Sequence, residues 1–156
     1  LSSASYGEAL GLDSRSSDIE GLKNVYLYLV AAVCAVVERE RMFDPENQQL
    51  ISSLADVAIE IFAAESVFLR VSKGLSNRSV DGMELYEDLE KIYFVRAVDR
   101  IRQEANEILA TLFTGPKLAE KLGELDAWLP LPVGLIEDRA RVARVLLQGG
   151  GLPVFV

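Results

Sequence analysis

The chain has 156 residues, a formal net charge of −8, no histidine and one cysteine; half of it is apolar and 26% charged. That length suits one domain with a core burying about two-thirds of the unfolded surface, and the lone Cys34 excludes an intrachain disulfide and any Cys-rich zinc site. Missing histidine removes Ser-His-Asp and Cys-His catalysis, HExxH zinc and Glu-x-x-His di-iron sites, and the acidic balance argues against nucleic acid, which is bound through Lys and Arg.

The chain starts at Leu1 rather than Met, which reads as a processed product or a piece of a longer protein. Residues 1–17 are Ser- and Gly-rich and read as a flexible arm; they lack the basic and apolar regions of a signal peptide. Ser17 and Glu20 have capping-box spacing and predict a helix from Asp18 to Arg41. The longest apolar run, Val25 to Val37, lies within it. A bilayer span needs about 20 residues, so this run reads as a helix central to a bundle, with Cys34 an inert core residue. A membrane-surface role would want basic residues beside the apolar face, and the flank Glu38-Arg39-Glu40-Arg41 is mixed, so charge does not support it.

Asp44-Pro45-Glu46 predicts a second helix, running to Lys73 and closed by Gly74 in a left-handed cap. Leu50, Leu54, Val57, Ile61, Ala64, Phe68 and Val71 repeat at four-three spacing, the mark of a long helix packed along another. Ser76 to Asp81 reads as a turn. A third helix over 82–113 carries the matching stripe Phe94, Val98, Ile101, Ala105, Ile108 and Leu112, and Gly115-Pro116 ends it. Lys117–Leu129 predicts a short helix, Pro130 and Pro132 interrupt it, and Val133–Gln148 predicts a last one with Ile136, Ala140, Ala143 and Leu147 on one face. Residues 149–156 form a tail. The expected fold is all-α: one antiparallel up-and-down bundle over 18–148 with two helices of about 30 residues and shorter C-terminal ones.

Charged residues supply the candidate sites. Asp56 with Glu60, and Glu84, Glu87 and Asp88, are read as solvated helix faces rather than ligands for a hard cation. Glu65 lies among Ile61 to Ala64 and Val67 to Leu69, so a buried ion pair with Arg96 or Arg100, or with Arg102, is expected in preference to a catalytic acid. Arg139, Arg141 and Arg144 form a candidate docking patch. Residues 111–156 carry five basic and five acidic groups, whereas residues 1–110 carry eleven and nineteen. The patch therefore stands on a neutral segment beside an acidic body and suits an acidic partner or the rest of the molecule.

Glu46 to Arg70, with Leu54-Ala55-Asp56-Val57-Ala58-Ile59-Glu60 and Phe62-Ala63, resembles a helix of the C-terminal extension of very-long-chain-type acyl-CoA dehydrogenases. Ala97-Val98-Asp99-Arg100-Ile101-Arg102 and the tail Val145 to Gly151 resemble later stretches of it, in order. The resemblance implies a flavoprotein parent that dehydrogenates fatty acyl-CoA at the α,β bond, using a Glu base and FAD. It implies for this chain a helical bundle packed on the parent's catalytic core, in a homo-oligomer, in the cytoplasm or a mitochondrion. The family's Tyr/Phe-Glu-Gly-Thr/Ser context for the base is absent, since Tyr86-Glu87 is followed by Asp88. No catalytic, flavin-binding or metal residue is therefore assigned here. A free-standing helical interaction module is the alternative.

Overall fold

The structure, a computed structural model, describes residues 12–37, 41, 44–76, 83–130 and 133–148. Among them all regular structure is helical: α1 (Leu12–Val36), α2 (Pro45–Ser76), α3 (Met83–Leu112), α4 (Gly115–Asp126) and α5 (Ile136–Leu147). At 1.5 Å per residue α2 and α3 are about 48 and 45 Å long. The end of α1, the start of α2 and the end of α3 share one pole, where Val36, Val37, Asn47, Leu50, Thr111 and Leu112 line one groove. Near the other pole Arg15 of α1 reaches Glu90 of α3. The three long helices therefore run up, down and up, as expected from their short connections.

The two four-three stripes meet as their spacing predicts. Val57, Ile61 and Ala64 of α2 and Phe94, Val98, Ile101, Ala105 and Ile108 of α3 are buried in one cluster, joined by Leu22, Val25, Leu29 and Val33 of α1. α3 is the hub, because it alone packs on all four other helices. The most apolar helix, α1, was expected in that central place. It is instead one-sided, with Ile19, Leu22, Val25, Leu29 and Val33 inside while Leu27, Cys34 and Val36 face out. Sequence hydrophobicity does not distinguish a helix covered on all sides from one with an apolar outer face. α1 is long and apolar enough to cross a membrane by length and composition, yet its inner face is spent on α2 and α3.

Several boundaries move. α1 is helical from Leu12, so Ser17 and Glu20 lie inside it and form no capping box. Arg15, bonded to Asp18 one turn on and to Glu90 across the interface, holds that earlier turn. Of the expected arm, 12–17 is helical and 1–11 lies outside the described residues. Asp44 does precede α2, but its carboxylate accepts from Arg41 Nε at 3.2 Å while its carbonyl receives Asn47 N–H. Gly74 is a buried helical residue, because α2 continues to Ser76 rather than closing there. Gly115 sits at φ +59° and, with Pro116, opens α4 rather than ending α3, which stops at Leu112. The turn expected over 77–81 and the tail 149–156 lie outside the described residues.

The apolar stripe of α5 faces outward. Leu135, Asp138 and Val142 are buried, whereas Ile136, Ala140, Ala143 and Leu147 are exposed, Ile136 at 84% and Leu147 at 87%. Periodicity marks the apolar stripe but not which side of the helix meets a neighbour, and ion pairs with α3 decide that.

Candidate functional site

The α3–α5 junction is where charge is most concentrated. Asp88 and Asp138 are 8% and 5% exposed, and carboxylates so placed need cationic partners. Arg141 supplies a bidentate clamp, donating from Nε to Asp88 Oδ2 at 2.7 Å and from Nη2 to Asp88 Oδ1 at 2.6 Å. The same Nη2 donates to Asp138 Oδ1 at 2.6 Å, and Lys91 Nζ meets Asp138 Oδ2 at 2.8 Å. The hydrogen bond from Lys91, aided by Arg141, holds the Asp138 carboxyl below its ordinary value. The two carboxylates hold the Arg141 guanidinium above its ordinary range, chiefly through the hydrogen bond to Asp88. Four side chains thus form a closed, neutral lock.

The expected docking patch divides accordingly. Arg141 is consumed by the lock, while Arg139 and Arg144 are exposed and meet no ion-pair partner among the described residues. They flank the outward stripe of Ile136, Ala140, Ala143 and Leu147. This is an apolar helix face with basic edges, set on a junction that fixes the helix's rotation. The lock itself was missed in the sequence; Asp138 and Arg141 are i, i+3 neighbours, but nothing in the sequence pairs them with Asp88.

The expected pairing of Glu65 with Arg96 or Arg100 is not formed. Glu65 is half-buried and accepts from Lys23 Nζ of α1 at 2.8 Å, a hydrogen bond that raises the Lys23 ammonium. Arg100 donates to Glu60 at 2.6 Å, and Arg102 bonds Asp126 of α4. Arg96 is exposed, with no ion-pair partner among the described residues. Glu65 lies on the side of α2 that meets α1, where Lys23 is its partner. Its seven-residue phase differs from that of Glu60, which points along the α2–α3 seam. Tyr28 makes the corresponding tie between α1 and α4, donating to Glu124 Oε2 at 2.8 Å; burial pushes its phenol above the ordinary range.

A cleft of about 640 Å³ lies between the first half of α1, the middle of α3 and the α4–α5 connection, lined by Arg15, Asp18, Phe94, Arg102, Trp128 and Val133. Its cations are already engaged: Arg15 lies 4.0 Å from the centre of the Phe94 ring and bonds Asp18 and Glu90, while Arg102 bonds Asp126. Burial pushes the Asp18 and Glu90 carboxyls up despite Arg15. Among the described residues there is no cluster of three or more Cys, Asp or Glu side chains arranged to hold a metal. Among the described residues, the interactions this surface shows are packing and ion pairing.

The family model described as acyl-CoA dehydrogenase, C-terminal domain, matches residues 22–125. A crystal structure of an acyl-CoA dehydrogenase complexed with FAD, from Bacillus anthracis, superposes with a TM-score of 0.77 at 19% identity. The superposition covers 91% of this chain and 24% of that one, so this chain spans about a quarter of that enzyme's length. No curated protein matches the chain.

Proposed function

The chain belongs to the acyl-CoA dehydrogenase C-terminal domain family, and from that premise we propose that it is the non-catalytic helical part of a larger flavoprotein, docked on the catalytic core through the outer face of α5. The parent reaction is α,β-dehydrogenation of a fatty acyl-CoA, and in this reading the parent is of the very-long-chain type and homo-oligomeric. The observation that carries the docking is α5 itself. Ion pairs hold it so that Ile136, Ala140, Ala143 and Leu147 point outward with Arg139 and Arg144 beside them. An apolar stripe of that length on a rigidly oriented helix marks a surface built to be covered.

FAD belongs to the parent. The residues here do not fit it, since the cleft's two arginines are both neutralised by carboxylates and leave no cation for a diphosphate. No chemical step is derived through it.

The test compares two contexts. In the full-length parent, Ile136→Asp with Leu147→Asp is expected to release this domain and speed limited proteolysis at its junction with the core. In the 156-residue chain alone the same pair should leave the melting temperature within a degree or two, since both side chains are exposed. Unchanged proteolysis of the parent variant overturns the reading. So does flavin absorbance in the purified 156-residue chain.

A further inference from the structure

The 640 Å³ cleft beside the first half of α1 is short of positive charge. Its Arg15 is shared by two carboxylates, Asp18 and Glu90. Glu20, on the same wall, shares Lys23 with Glu65. Arg102 is matched one to one by Asp126. Asp99 of α3 also lines the cleft; it is exposed and has no ion-pair partner among the described residues. The bridges around the cleft thus leave its carboxylates in excess. Burial pushes the Asp18 carboxyl up even with Arg15 bonded to it, so that charge is incompletely compensated.

The same cleft has an aromatic wall. Its floor already shows the pairing that an aromatic ring offers a cation, with Arg15 lying 4.0 Å from the centre of the Phe94 ring. Trp128, in the α4–α5 connection, is 46% exposed and carries no cation among the described residues. Its backbone is set close against α1, because Gly21 has no Cβ; an added one would lie 2.8 Å from the Trp128 carbonyl. The indole is thereby placed over the acidic helix. We propose that this cleft binds a small organic cation, an alkylated ammonium, on the Trp128 ring and among the carboxylates of Asp18, Glu20 and Asp99. A ring face favours a weakly hydrated cation, and the volume falls in the range of about 300–1,000 Å³ typical of small-molecule sites. A strongly hydrated metal ion needs several ligands to replace its water, and no group of three carboxylates among the described residues is arranged to supply them. An anion meets the excess of carboxylates and no spare arginine. The binding does not depend on whether α5 docks on a catalytic core.

Trp128 is the one tryptophan in the chain, so intrinsic tryptophan emission of the 156-residue protein reads the cleft directly. Choline, titrated at low ionic strength, is expected to change that emission saturably. Its neutral carbon analogue, 3,3-dimethylbutan-1-ol, has the same shape without the charge and should produce no saturable change. Asp99→Asn removes an exposed carboxylate, leaves the fold intact by circular dichroism, and should weaken choline binding about three- to fivefold. Added potassium chloride should weaken the wild type in the same direction, since exposed charges are screened. Trp128→Leu, followed by titration calorimetry, should abolish the heat of choline binding while circular dichroism stays unchanged. Ile136→Asp with Leu147→Asp should bind choline like the wild type, which separates this cleft from the α5 face. Absence of a saturable response to choline overturns the proposal. So does an equal response to the neutral alcohol, or choline binding that survives both Asp99→Asn and Trp128→Leu undiminished.

Discussion

Asp138 and Glu90 are both carboxylates within ion pairs, yet their environments push them in opposite directions. Asp138 is held below its ordinary value of 3.8, first by the hydrogen bond from Lys91 and then by the nearby charges. Its folded state thus prefers the charged form more than the unfolded chain does. The resulting stability is complete above the unfolded value and lost as pH falls through the folded one. Glu90 is pushed above its ordinary 4.5, because desolvation outweighs Arg15. Its charge therefore costs stability at neutral pH, and the cost is relieved as pH falls through the raised value. Asp138→Asn should melt lower than wild type at neutral pH and lose less on acidification below 3.8. Glu90→Gln should be at least as stable as wild type at neutral pH, with any advantage disappearing on the acid side. Melting temperatures across that range check both, and parallel curves for the two variants would contradict the assignment. Arg141, Asp88 and Asp138 were each readable as charged residues; their mutual lock depends on α5 lying across α3, and no spacing along the chain encodes that.

At the scale of elements, two helical glycines have opposite expected effects. An added Cβ at Gly21 of α1 would lie 2.8 Å from the backbone carbonyl of Trp128, whereas at Gly123 of α4 it meets nothing within 4 Å. Replacing an open helical glycine by alanine stabilises by about 1 kcal/mol, so Gly123→Ala should raise the melting temperature. Gly21→Ala should lower it despite the same gain in helix propensity, because the Trp128 backbone must move away from α1. Thermal unfolding of both variants decides it. Helix existence and periodicity were legible in the sequence because local propensity and the four-three repeat act within a few turns. The ends were less so. Ser17 and Glu20 have capping-box spacing but sit mid-helix, and Gly74 continues α2, because contacts made across the bundle outweigh local stop signals of about 1 kcal/mol.

For the whole molecule, what matters is which helix is surrounded. α3, with a lower apolar content than α1, is packed on four sides, and Ile101 at its middle is fully buried. Ile101→Ala should cost about 3–4 kcal/mol, as large-to-small changes in a close-packed core do. Leu27→Ala, in the more apolar α1 but 63% exposed, should fall within about 0.5 kcal/mol in the monomer. Denaturant unfolding of the two variants compares them directly; equal losses would place α1 at the centre after all.

The chain by itself determined that this is an all-α bundle, that α2 and α3 are long and pack through matching stripes, and that Pro45, Gly115 and the Pro130 region separate the elements. Those features follow from hydrophobic period and backbone stereochemistry, which are local properties of the residue string. Only the tertiary structure decided which way α5 turns, that Glu65 binds Lys23 and Arg100 binds Glu60, and that α1 is a flank and α3 the hub. It also decided that α2, α1 and α5 each keep an apolar face outside. A stripe's position in sequence carries its phase on the helix. Which phase is buried depends on the direction from which a neighbour arrives, and that direction is a property of the assembled chain.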